Sequence, residues 1–195
     1  MKKTLLSMLV ALSLNAAYAD FAKGSAYYKN KSYADVFQEF KESAAAGDVN
    51  AQYNLASMYL YGFPINEKEA LKWYTMAANQ GDASSQSMLG MMYERGQGVS
   101  ENKQEAAKWY LLSANQGLAE AQLGLGLMYT NGSGIPKNTV LAYALFSIAA
   151  AQNYKDAKEL KDKLEPDLAP NQLAEAQEIA RNWKVGTLFP TKTEY

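Results

Sequence analysis

Glu94, Glu101 and Glu105 gather around one glycine-containing stretch, and they are the residues whose types and spacing could do acid–base chemistry. Two carboxylates cleave a glycosidic bond when one is protonated and the other ionised on either side of it. That chemistry would make the chain a carboxylate-based cell-wall hydrolase. It also needs a cleft whose surroundings drive the two pKa values apart. On exposed helix ends carboxylates are solvated instead, and that is the expectation for these three. Composition excludes the commoner chemistries. The 195 residues include no His and no Cys, so there is no Ser–His or Cys–His nucleophile pair and no thiolate or imidazole for zinc. Gly-x-Gly occurs at 96–98, 124–126 and 132–134. A phosphate cradle would add G-x-x-x-x-G-K-S/T or a strand–turn–helix context, and neither is present. Those glycines read as helix caps and close packing, and the chain is expected to hold no cofactor and no metal.

The elements that would position any site are written in a repeat. Residues 72–81 read KWYTMAANQG, and residues 108–117 read KWYLLSANQG, with seven of the ten letters shared. Aligned by their own letters, three units give Gln52, Leu55, Ala56, Tyr59, Gly62; then Gln86, Leu89, Gly90, Tyr93, Gly96; then Gln122, Leu125, Gly126, Tyr129, Gly132. The following segments give Ala70, Trp73, Tyr74, Ala77, Ala78, Gly81; then Ala106, Trp109, Tyr110, Ser113, Ala114, Gly117; then Ala142, Leu145, Phe146, Ala149, Ala150, Asn153. Spacings of three, four, seven and eight put each set on one apolar helical stripe. Each unit is thus a helix, a glycine-containing loop, a second helix and a short turn. Small residues at Ala56, Gly90 and Gly126 let the paired helices approach, and the aromatic pair fills the space between one hairpin and the next. Trp73 and Trp109 belong to that packing. Asn66, Asn102 and Asn138 stand where second helices begin and suit N-caps. Gly62, Gly96, Gly98, Gly132 and Gly134 suit C-caps with positive φ.

The flanks extend the pattern. Residues 32–48 read as an earlier second helix, preceded by a short helix near 22–30. Residues 155–164 read as a helix, Pro166 interrupts, and Pro170 can open a last helix to Trp183. This charged end suits a solenoid cap. Residues 184–195 show no pattern. At the other end, MKK, an apolar run too short to span a bilayer and Ala17-Tyr18-Ala19 have the layout of a signal peptide, 1–19, cleaved after Ala19. The short basic start points to a bacterial leader and so to the periplasm. Cleavage removes two of the 19 basic residues against 20 acidic ones and leaves a net charge of −3. That balance argues against nucleic-acid or anionic-membrane surfaces, and no later stretch is apolar enough to cross a membrane. With no Cys there is no lipid anchor and no disulfide, so packing alone holds the fold.

The unit A-Q-x-x-L-G-x-x-Y-x-x-G-x-G-I/V followed by A-x-x-W-Y-x-x-A-A-x-x-G resembles the Sel-1-like repeat family, a relative of the tetratricopeptide repeats. The resemblance covers 51–153 strongly and 21–50 and 154–183 weakly. The sequence departs from the pattern at Leu145-Phe146 and Asn153 in the last clear unit, and at Glu39-Phe40 in the first, degenerate one. The resemblance implies an all-α, right-handed solenoid of stacked antiparallel hairpins, with repeats 51–82, 83–118 and 119–153 in one domain over 20–183 and a tail from 184. It implies a non-catalytic module that binds proteins. Some envelope members resemble regulators of sensor kinases or assembly scaffolds. Others are periplasmic immunity proteins against toxins of type VI secretion, phospholipases included. In such a superhelix the first helix of each hairpin lines the concave side. The first-helix residues not needed by the repeat are then the expected contacts for a secreted toxin or envelope protein: Tyr53, Asn54, Ser57 and Tyr61; Ser87, Met91, Glu94 and Arg95; Leu127, Thr130 and Asn131. Leu123 and Leu127 could equally pack on the adjacent helix.

Overall fold

The computed structural model describes residues 33–62 and 65–192, which are helical apart from the connections between helices and the segment 183–192. The expected signal peptide and the helix near 22–30 lie outside the described residues. Seven helices of equal length follow one another: α1 Tyr33–Ala45, α2 Val49–Tyr61, α3 Glu67–Asn79, α4 Ala83–Arg95, α5 Lys103–Asn115, α6 Ala119–Asn131 and α7 Thr139–Ala151. Then come α8 Lys155–Leu164, a 3-10 turn Glu165–Asp167 at Pro166, and α9 opening on Pro170 and ending at Asn182. Among the described residues no helix is long and apolar enough to cross a membrane. The chain divides into two compact units, with the boundary after Ala77.

Helix starts follow the expected chemistry. The Asn102 and Asn138 side chains accept from the third backbone N–H of their helices, each at 3.0 Å, and Asn66 does so at 3.2 Å. Asp48 and Asp82 cap α2 and α4 in the same way at 2.6 Å, whereas Leu118 leaves α6 without a side-chain cap. Gly96 and Gly132 end their helices in the left-handed region. Gly62 does not: its φ is −89°, and it is small because the Tyr33 hydroxyl occupies the place a Cβ would take.

In the first unit α1 packs on α2, where the Phe37 and Tyr59 rings meet edge to face at 5.3 Å. In the second, α4 to α7 pack in chain order, and α8 and α9 both lie on α7. A Cβ on Gly90 would come within 2.7 Å of the Tyr110 ring, and one on Gly124 within 3.0 Å. Tyr110 of α5 is therefore held between α4 of its own hairpin and α6 of the next. Gly126 lies under the Phe146 ring in the same manner, at 2.6 Å. Val140, Tyr143, Leu168 and Ala176 close the C-terminal end, with Leu164, Leu173 and Ile179 around them.

A polar ladder runs through this apolar packing. Buried Gln52, Gln86 and Gln122 donate Nε2 to the carbonyls of Ala44, Ala78 and Ala114, in the helix before. In the second unit Gln116 Nε2 donates to Gln86 Oε1 at 2.8 Å and to the Gly81 carbonyl at 2.9 Å. Gln152 repeats both bonds one repeat later, to Gln122 Oε1 and the Gly117 carbonyl. Buried amides are tolerated because their donors and acceptors are matched.

Burial pushes the Tyr154 phenol up to about 12, and the Glu120 and Asp156 carboxylates add to the effect. The folded state thus favours the neutral phenol. Its contribution is complete below the unfolded-state value of 10.0 and is lost as pH rises toward about 12. Urea unfolding across that window should show a fall in stability that Tyr154→Phe flattens. An unchanged slope would place the alkaline sensitivity elsewhere.

Beyond α9 the chain turns at Gly186 (φ +84°), with the Thr187 hydroxyl donating to the Lys184 carbonyl, and returns to α5. The Gly186 N–H donates to the Asn115 carbonyl at 2.8 Å, and the Phe189 N–H donates to Asn115 Oδ1 at 2.7 Å. Phe189 is buried.

Candidate partner-binding face

The expected contacts sit on α2, α4 and α6, the first helices of the three hairpins. On α2, Tyr53 is half-buried, with its ring 5.7 Å from that of Tyr74. Asn54 is half-buried and donates to the Asn50 carbonyl at 2.8 Å. Tyr61, the last residue of the helix, is half-buried. Ser57 is different. It is buried, donates to the Tyr53 carbonyl and shares a 2.8 Å hydrogen bond with the Tyr74 hydroxyl. The expectation that it lies on the open face is corrected: its hydroxyl satisfies a buried phenol.

In the second unit α4 and α6 run beside each other. Ser87 is half-buried and Arg95 is exposed at the end of α4. Glu94 is half-buried and accepts from the Tyr110 hydroxyl at 2.9 Å, which holds its carboxylate in place. On α6, Leu127 and Thr130 are half-buried and Asn131 is exposed; Thr130 Oγ1 donates to the Gly126 carbonyl. Met91 and Leu123 are buried at 7% and 6% exposure and belong to the core, which corrects the surface expected for Met91 and decides the open alternative for Leu123. The side chains that remain at the surface are aromatic, amide, hydroxyl and charged, with one leucine, and Tyr61, Glu94, Arg95, Thr130 and Asn131 stand at the C-terminal ends of their helices. Tyr and Arg in such a setting suit protein contacts.

The three glutamates are not drawn into one cleft by their partners. Glu94 answers Tyr110, Glu101 is exposed beside Lys103 at 3.3 Å, and Glu105 pairs with Lys108 at 2.8 Å. Among the described residues no cluster of acidic side chains could hold a metal ion. Trp73 is buried in the first unit with Lys72 Nζ 5.1 Å from its ring centre, and Trp109 is half-buried in the second. The indole N–H of each is buried and finds no hydrogen-bond partner among the described residues.

Sequence reasoning missed the polar ladder and the docked C-terminal segment. The recurring Gln80-Gly81, Gln116-Gly117 and Gln152-Asn153 was the available signal for the first. No periodicity announced the second.

The Sel1 repeat model matches residues 49–82, 83–118 and 119–154. A sel1-like repeat-containing protein, L21, of Acanthamoeba polyphaga mimivirus is 39% identical over 95 residues, 48% of this chain and 18% of that protein. The DAP3-binding cell death enhancer 1 of Rattus norvegicus is 36% identical over 62 residues, 32% of this chain and 12% of that one. The chain therefore spans less than a fifth of either curated relative. Among solved structures, c5321, a protective antigen present in uropathogenic Escherichia coli strains and displaying an SLR fold, superposes with a TM-score of 0.74 at 31% identity, covering 78% of this chain and 33% of that one. A Sel1 repeat protein from Oxalobacter formigenes gives a TM-score of 0.59 at 38% identity, covering 65% and 96%. The helices are those of an α-solenoid of hairpins, and the three matched repeats fill more than half of the 195 residues: the chain belongs to the Sel1 repeat family.

Proposed function

We propose that this chain is a periplasmic, non-catalytic protein-interaction module, and specifically an immunity protein that holds and neutralises a secreted toxin such as a phospholipase. The observation that carries the binding role is the set of polar, aromatic and leucine side chains left at the surface of α2 in one unit, and of α4 and α6 in the other, once the repeat has taken its packing residues. Tyr61 in one unit, and Arg95, Leu127 and Asn131 in the other, are the anchors. The absence of His and Cys from the sequence, the signal-peptide layout and the likeness to a bacterial protective antigen support the narrower reading. The rat relative's name describes a protein that binds another, in keeping with a protein partner.

The chain, exported in its own host with a C-terminal tag, should retain one toxin-like enzyme in equimolar amount. Arg95→Glu or Tyr61→Ala should weaken that complex by about 30-fold, the loss typical of an interface hot spot. Cells that stay sensitive to every toxin of the same genome, each delivered to the periplasm, would sink the immunity reading. A membrane receptor or assembly component recovered in its place would make the chain an envelope regulator or adaptor. Turnover of peptidoglycan by the pure protein, abolished by Glu94→Gln or Glu101→Gln, would overturn the non-catalytic role.

A further inference from the structure

The turn that ends the second helix of a repeat is built twice from the same residues, once covered and once open. Ala78-Asn79-Gln80-Gly81 and Ala114-Asn115-Gln116-Gly117 are identical. Their glycines share the same left-handed backbone, φ +95° at Gly81 and +92° at Gly117. Each glycine carbonyl accepts from the amide of the glutamine one repeat on, Gln116 or Gln152. Both corners lie in the second unit.

At the second corner the chain's own tail shows what the arrangement holds. Asn115 accepts two main-chain N–H groups, from Gly186 through its carbonyl and from Phe189 through its carboxamide. Val185 lies over Gly117, where an added Cβ would meet its Cγ2 at 2.9 Å. Phe189 is buried at 3% exposure, whereas Leu188 points out at 86%. Two main-chain donors, one β-branched residue over a glycine and one buried aromatic make up the recognition, and none of it uses a charge.

At the first corner no described residue occupies the same place. A Cβ on Gly81 would find no atom within 4 Å, Asn79 is exposed, and its carboxamide makes no hydrogen bond among the described residues. The third corner is not equivalent, since Ala151 stands where the carboxamide would be.

We propose that the Asn79–Gly81 corner is a second docking site, which takes an extended segment of a partner protein with the chemistry of the tail. That segment carries a β-branched residue, then a small one, and an aromatic three positions after the small one, and it presents its backbone N–H groups to Asn79. Extended segments bound through main-chain hydrogen bonds with side-chain pockets for specificity are a general mode of peptide recognition. The glycine admits the segment because it has no Cβ to hold it off, and its positive φ keeps larger residues from that position. The corner shares no residue with the candidate contacts of α2, α4 and α6 and does not depend on what they bind.

The probe is a synthetic peptide of residues 184–192, titrated to about 5 mM into the isotope-labelled full chain and followed by amide chemical shifts. The expected result is saturable shifts at Gln80, Gly81 and Asp82, with a Kd of about 1 mM. Asn79→Ala should weaken it about 5-fold, as loss of one hydrogen bond does. Replacing the peptide's aromatic residue with Ala should abolish the shifts. Arg95→Glu should leave the titration unchanged, so its outcome is independent of the toxin-binding test. Shifts confined to Asn115–Leu118 would mean that the peptide merely displaces the chain's own tail, and would overturn the proposal. So would no shift at either corner.

Discussion

Phe146→Ala should lower the unfolding free energy by about 3–5 kcal/mol, the cost of removing a fully buried aromatic side chain. A domain of this kind has about 5–15 kcal/mol to lose, so the variant should begin to unfold near physiological temperature. Phe146 is 1% exposed and lies over Gly126, whose missing Cβ is the space the ring fills. The pair makes a second, sharper expectation. Gly126→Ala puts a methyl group where the ring edge stands and should cost about 1–3 kcal/mol in the parent chain. With Phe146→Leu in the background the methyl has room, and the cost should fall. Urea unfolding of the four variants gives the coupling directly. Equal costs in both backgrounds would show that ring and glycine do not meet.

Gln122→Leu should cost about 1–3 kcal/mol, although leucine is apolar, of similar size and enters a buried site. The substitution leaves the Ala114 carbonyl without the donor it has at 3.3 Å and the Gln152 amide without the acceptor it has at 2.9 Å. The Ala114 carbonyl keeps the Gly117 N–H at 2.9 Å and the exposed Gln152 amide can turn to water, so the cost is that of the hydrogen bonds lost from a buried site. Gln38→Ala is the control. That side chain is exposed, and its bond to the Glu42 carboxylate can be made good by water, so its cost should stay below about 1 kcal/mol. Equal losses for the two variants, read from urea midpoints at constant slope, would remove the distinction between a buried amide ladder and ordinary surface hydrogen bonds.

The hairpins were legible because each packing residue is repeated at helical spacing. Leu55, Leu89 and Leu125 align with one another, as do Tyr74, Tyr110 and Phe146, and all are buried. The caps at Asn66, Asn102 and Asn138 were legible for the same reason, with a short-range mechanism behind them. Proline placed the C-terminal helices, because Pro166 and Pro170 lack the N–H a helix interior needs. The binding face was read less well. Ser57 and Met91 lie off the recurring stripe, and a non-recurring residue can still be buried by a contact particular to its own repeat. For Ser57 that contact is the Tyr74 hydroxyl, 17 positions away. The Asn115–Phe189 bond joins residues 74 positions apart, and one occurrence leaves no period to find.

The glutamine ladder bears on how such a chain can change length. Every rung in the second unit is built from the same atoms: an amide donor and an amide oxygen from one repeat, and a glycine carbonyl from the repeat before. A duplicated copy of residues 83–118 spliced in after Leu118 would therefore offer Gln122 and Gln152 the partners they already have, and would find its own among the residues ahead of it. An insertion that is not a whole number of repeats would leave buried amides at the seam without their partners. Gene duplication in whole repeats would be tolerated and partial duplication removed, so relatives should differ in size by steps rather than continuously.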